Sequence, residues 1–170
     1  MIVCGLVLTG SAGAGSLNDG SVEYGVKLAF IYNLTKFVEW PSNSTVPFSV
    51  GIVGSDPFSP ELEDELRTRE VRGRRIVLKQ LKAGDKMSGC QIVFIPVTAK
   101  DQAASIVKAL NGTSTLTISE TEGFARLGGI INFAVAGNRL RVEVNPLAAK
   151  RAGLKISSKF LKIATIVSER

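Results

Sequence analysis

Gln91-Ile92-Val93-Phe94-Ile95-Pro96 is the stretch on which the fold turns. Four consecutive apolar residues, β-branched or aromatic, are closed by a proline. The run is too short for a helix. Its lack of polar alternation predicts a strand covered on both faces, the condition of an inner strand in a parallel sheet. On its N-terminal side, Phe48 to Val53 reads as another strand. Asp56-Pro57 then supplies a cap followed by proline at a first helical position, predicting a helix to about Glu70. The i to i+4 pairs Glu63 with Arg67 and Glu65 with Arg69 give that helix a solvated face. Gly73 closes it, and Ile76 to Leu78 form a further strand. On the C-terminal side, a helix over Asp101 to Leu110 precedes a strand over Thr115 to Ile118. Strand and helix alternating in this way imply a largely parallel sheet.

Further out, Val22, Val26, Ala29, Phe30 and Phe37 fall on one side at helical spacing, so a first helix is predicted over 22–39, stopped by Pro41. Its aromatic group, Phe30, Tyr32, Phe37 and Trp40, reads as core, and Ser42-Asn43-Ser44-Thr45 as a loop. Towards the other end, Ile130 to Val135 and Arg139 to Val144 flank Gly137-Asn138, a tight-hairpin signal. Alternation there sends Leu140, Val142 and Val144 inward and Arg139, Arg141 and Glu143 outward. Asn145-Pro146 caps a short helix ended by Gly153, and Ser157 or Ser158 caps a final helix through about Val167. The expected fold is α/β: a mostly parallel sheet with a C-terminal antiparallel hairpin and helices on both faces, forming a single domain over 22–167.

The first 16 residues carry no charge and pass from an apolar stretch into Ala12-Gly13-Ala14, a small-x-small pattern. Residues 1–14 therefore read as a signal-peptide remnant, with the mature chain starting near Gly15. The first basic residue is Lys27, so the usual basic start of such a leader is missing. Mean hydropathy is +0.20, yet no apolar run after residue 20 approaches the roughly 20 residues that span a bilayer. Cys4 lies in the leader, which leaves Cys90 alone in the mature chain, either as a small buried hydrophobe or, if exposed, as a link between chains. Charge is unevenly placed. Residues 139–170 hold eight basic and two acidic side chains, whereas the rest of the chain holds thirteen of each sign. The excess suits an acidic protein partner or anionic headgroups, or is a plain solvated face. Nucleic acid fits poorly, because only Phe160 among those residues could stack on a base.

The chain contains no histidine. That removes the commonest general base, the triad imidazole and the commonest metal ligand together. Gly51-Ile52-Val53-Gly54 lacks the spacing of a dinucleotide fingerprint, and no Gly-Lys-Ser/Thr phosphate loop occurs. No catalytic residue, metal or cofactor is expected. One crevice is suggested by topology, since open α/β sheets bind ligands beyond the carboxyl ends of their strands. Asp56, Thr98, Ser119 and Glu120 fall there, as a site for a small polar ligand or simply as caps and turn residues. The Asn-x-Thr sequons at Asn33, Asn43 and Asn111 carry little weight, Asn33 being inside a predicted helix.

Three stretches taken together resemble a known family: Phe30-Ile31-Tyr32-Asn33 through Phe37-Val38-Glu39-Trp40-Pro41, Gly128-Gly129-Ile130-Ile131-Asn132-Phe133, and Asn145 with Ala148 to Ser158. The chain resembles the YfiR family of small periplasmic proteins from about Val22 to Val167. The resemblance implies a Rossmann-like domain, a tendency to dimerise, and repression of an inner-membrane diguanylate cyclase through its periplasmic portion, which lowers cyclic di-GMP and restrains biofilm growth. It also implies relief by an outer-membrane lipoprotein. The redox-sensing disulfides of some members have no counterpart here, because Cys90 has no partner cysteine. On this reading the protein is close to the membrane without spanning it. Arg151, Lys155 and Lys159, with Glu143 and Asn145 beside them, are the expected exposed partner-binding residues. Charge reversal at Arg151 and Lys155 is expected to weaken partner binding without lowering the melting temperature. The alternative is a periplasmic small-molecule sensor using the crevice.

Overall fold

The computed structural model describes residues 20–41 and 46–169; the leader, Cys4 and the loop with its Asn43 sequon lie outside the described residues. The apolar run becomes β5 (Ile92–Ile95), fully buried along its length. Period-two alternation divides it, with Ile92 and Phe94 joining one hydrophobic cluster and Val93 and Ile95 the other. This strand pairs in parallel with β2 (Phe48–Val53) on one side and with β6 (Leu116–Ser119) on the other. Among the described residues the sheet has eight strands. Its parallel centre is β4 (Arg74–Leu81), β2, β5, β6 and β7 (Ile131–Ala136). An antiparallel strand closes each side of that centre: β3 (Glu70–Val71) against β4, and β8 (Arg139–Val144) against β7.

Helices cover both faces, as the sequence predicts. On one face lie α1 (Gly20–Leu34) and α2 (Pro60–Arg67), with Leu28, Ile31, Leu34 and Leu66 in the larger cluster. On the other lies α3 (Ala103–Ala109), led in by a 3₁₀ turn over Val97–Gln102, with Ala103, Ile106 and Leu110 in the second cluster. Cys90 is 3% exposed within that second cluster, where burial pushes its thiol pKa up. It is the buried small hydrophobe of the two alternatives.

Several local expectations are corrected. The first helix buries Lys27, Leu28, Ile31 and Leu34, and leaves Val22 and Val26 at 36% and 39% exposure. The buried stripe is thus rotated from the one expected. The helix also stops at Leu34, and a turn delivers Val38–Glu39 as strand β1. The second helix begins later, with Ser59 as its cap and Pro60 first, while Asp56 accepts the Phe58 N–H at 2.8 Å in a tight turn. It ends at Arg67. Gly73 therefore serves the β3–β4 hairpin, beside Arg72, the single non-glycine residue with positive φ among the described residues.

After β8, Asn145 and Pro146 open α4 (Pro146–Arg151), and β9 (Lys155–Ile156) pairs antiparallel with β1. The final helix, α5 (Ser158–Leu161), is shorter than expected, and β10 (Thr165–Ile166) then adds in parallel to β8. Gly128 and Gly129 bring the chain into β7. Gly128 has φ +99°, and a Cβ on Gly129 would lie 2.1 Å from the buried Phe124 ring. Only glycine fits that approach. No helix among the described residues is long and apolar enough to cross a membrane.

Candidate functional site

The parallel register that sets Ile95 beside Ser119 brings the carboxyl ends of β5 and β6 together. Glu120, the residue after β6, points back over that edge. Its Oε2 accepts the Val97 N–H at 2.8 Å and the Tyr24 hydroxyl at 3.2 Å. Its Oε1 takes the ammonium of Lys27, which also bonds Glu23 one helical turn earlier. The Lys27 and Glu120 side chains are only 4% and 6% exposed. The Lys27 Nζ lies 4.6 Å from the centre of the Tyr24 ring. Burial, then the charge and hydrogen bond of Glu120, push the Tyr24 phenol above its ordinary pKa. A lysine this deep is tolerable because two carboxylates meet it; stripped of either side, the cluster leaves an uncompensated buried charge. α1 is thereby pinned by ions to the carboxyl edge of the sheet.

These groups form one wall of an open cavity of about 1260 Å³. Asn132, Phe133 and Val135 of β7 and Glu143 of β8 also line it. Asn132 and Glu143 are directly opposed across the β7–β8 ladder. The rim includes Glu122, Arg126 and Leu127, and Leu127 is 63% exposed despite its apolar side chain.

Of the four residues expected to share a crevice, Glu120 alone lines this cavity. Ser119 is fully buried, its hydroxyl donating to Ile95 O at 2.9 Å and accepting the Thr121 N–H at 3.0 Å. Thr98 is exposed on the 3₁₀ turn. Asp56 is half-buried beyond β2. Burial raises its carboxyl to a pKa of about 6, against the pull of the Phe58 N–H and with the Glu63 carboxyl adding to the rise.

The expected partner-binding residues also separate. Arg151, Lys155 and Lys159 are exposed. Arg151 is tied to Glu169, and Lys155 stands opposite Glu39 in the β1–β9 ladder. Glu143 is half-buried in the cavity wall. Asn145 corrects the expectation of exposure, being 0% exposed. Its Oδ1 caps α4 by accepting the Ala148 N–H at 3.0 Å, and its Nδ2 donates to Ala125 O at 2.8 Å, so its motif position serves the backbone.

Sequence reasoning missed Tyr24, Lys27, Asn132 and Arg126. The nearest signal was Lys27 itself, which stands four residues before Ile31 and seven before Leu34, on the buried stripe of α1. Nothing in the sequence tied it to Glu120, 93 positions away.

The profile of the YfiR/HmsC-like family matches residues 24–165. Two solved structures share the fold. A conserved domain protein from Vibrio cholerae O1 biovar El Tor has a TM-score of 0.56 at 13% identity, covering 85% of this chain and 60% of that one. The ABC domain from Streptococcus pneumoniae, solved in complex with L-Trp, has a TM-score of 0.53 at 12% identity, covering 82% and 59%. This chain spans about three fifths of the length of each. The family match covers most of the sequence, and the chain belongs to the YfiR/HmsC-like family.

Proposed function

We propose that this family member is a periplasmic regulator of cyclic di-GMP signalling that represses an inner-membrane diguanylate cyclase by binding its periplasmic portion. The observation that carries the reading is the family match over 24–165. A cyclase with active and inactive states is controlled by any protein that binds one state more tightly, so no catalytic group is required of the regulator. The unit that does this is a single domain over 22–167, exported by the leader at 1–14 and acting as a homodimer, with an outer-membrane lipoprotein as its releasing partner.

The contact surface centres on Lys155 and Lys159, which are exposed and form no ion pair among the described residues. Arg151 contributes while paired with Glu169. Acidic neighbours make reversal at Arg151 and Lys155 a poor probe, because a new carboxylate would repel Glu169 or Glu39. Neutralising Lys155 and reversing Lys159 is cleaner. The test is co-purification of the mature domain with the periplasmic segment of a cyclase from the same cell, together with cellular cyclic di-GMP after deletion. Capture of that segment and a rise in cyclic di-GMP are expected; a deletion strain with unchanged cyclic di-GMP would refute repression. A second reading, small-molecule sensing, draws its support from the cavity, whose wall includes the predicted crevice residue Glu120.

A further inference from the structure

From Val144 to Ser168 the chain carries five basic residues and no carboxylate. Three of the five, Lys155, Lys159 and Lys162, run from β9 through α5 to the residue that caps it, and all three are exposed. Lys155 has Glu39 opposite it, whereas Lys159 and Lys162 are in no ion pair among the described residues. A run of lysines is by itself only a solvated face. The second observation is Ile163, 76% exposed, the most exposed of the large apolar side chains among the described residues. The backbone keeps it there. The Lys162 N–H donates to Ser158 O and the Ala164 N–H to Phe160 O, each at 3.1 Å, so helical geometry continues past α5 to Ala164. Phe160 is 1% exposed and stacks on Phe37 with ring centres 5.7 Å apart, and beyond the turn Val167 is 4% exposed. The turn is fastened at both ends, and Ile163 is held in solvent between them.

At helical spacing Lys159, Lys162 and Ile163 stand at i, i+3 and i+4, which puts them on one side of the turn. Two unpaired ammoniums thus accompany one aliphatic side chain on a rigid support. We infer that this turn docks the protein on an anionic phospholipid surface, with Ile163 entering the boundary between headgroups and acyl chains and Lys159 and Lys162 on the lipid phosphates. Neither a lone apolar side chain nor a pair of lysines binds a bilayer more than marginally; the two together reinforce each other. The lysine stems lie along the apolar layer while their ammoniums stay among the phosphates. Ile163 also favours lipid over a protein partner, because a bilayer yields around a side chain that stands clear of the surface, whereas a protein needs a pocket shaped to receive it. The inference goes beyond the regulatory reading and stands without it. Lys159 is shared with the proposed cyclase contact; Lys162 and Ile163 are not.

The test is co-sedimentation of the intact mature protein, with no cyclase present, on vesicles of phosphatidylcholine alone or mixed equally with phosphatidylglycerol. Sedimentation with the anionic vesicles at low salt, its weakening at high salt, and none with the neutral vesicles are expected. Lys162→Gln is expected to weaken binding to the anionic vesicles about fivefold and Ile163→Ser about tenfold, with circular dichroism confirming that each variant is folded. Equal sedimentation with neutral vesicles, none with anionic vesicles at millimolar lipid, or binding unchanged in both variants would each overturn the assignment. Variants that keep full vesicle binding but lose capture of the cyclase segment would give the turn to a protein partner instead.

Discussion

Two regions of the molecule use the same residue types to opposite ends. At the carboxyl edge of β5 and β6, Lys27 and Glu120 are buried against each other and hold α1 to the sheet. Around α4, β9 and α5 the charges are outside, and the polar residue within is Asn145, a neutral amide that ties the start of α4 to Ala125. The contrast is one of solvation. A buried ion is useful only while its counter-ion is present, whereas a neutral amide meets its hydrogen-bond demand at a far smaller desolvation cost. Charge in the second region therefore stays at the surface, while most of the charge in the first is buried and already committed.

Each half of this comparison can be attacked by mutation. The largest effect belongs to the ionic side: Lys27→Met is expected to cost about 3–5 kcal/mol in denaturant unfolding by stranding Glu120. Lys27→Met combined with Glu120→Leu should recover much of that loss. A mild single mutant would mean that the cluster is solvated, and the contrast would collapse. On the neutral side, Asn145→Ala removes the cap and the bond to Ala125 O, with an expected loss of about 2 kcal/mol. A loss as large as that of Lys27→Met would erase the distinction between ion and amide.

Asp56 lies between the two cases, as a half-buried carboxyl raised to about 6 from 3.8. Such a group binds its proton more tightly folded than unfolded. Its contribution to stability is full below the unfolded value and is lost as pH rises through the folded one. Asp56→Asn, which keeps the acceptor for the Phe58 N–H, should therefore gain stability on wild type as pH rises from about 4 to about 7. Parallel melting curves for the two proteins across that range would show that burial does not govern this carboxyl. The smallest effect on stability is expected for Lys155→Gln with Lys159→Glu, within about 0.5 kcal/mol for each change. The same pair should weaken capture of the cyclase segment, and unaltered capture would remove the basic surface from the account.

The parallel centre was legible because a continuous run such as Ile92 to Ile95 admits few alternatives, and β7 and β8 because Gly137-Asn138 fixes their turn. α1 misled in its facing. Val22 and Val26 look like core in a periodic count, but Lys27 takes the inward position through a partner 93 residues on, which no local pattern encodes. Asp56-Pro57 offered the same cap chemistry as Ser59-Pro60, and the structure starts the helix at the later pair. Asn145 was recognised as a cap and also expected on the surface; its second set of bonds, to Ala125, required the fold to be seen. The candidate cavity was legible only through Glu120.

The β1–β9 ladder joins Val38 to Ile156, and Ser157 N reaches Phe37 O at 2.8 Å. Those bonds cannot form until the chain has been made as far as Ser157. Contacts so distant in sequence carry a loop-closure cost before they return anything, which slows folding. A strand that follows α4 thus fastens one that follows α1, and everything between them is enclosed by a two-residue ladder.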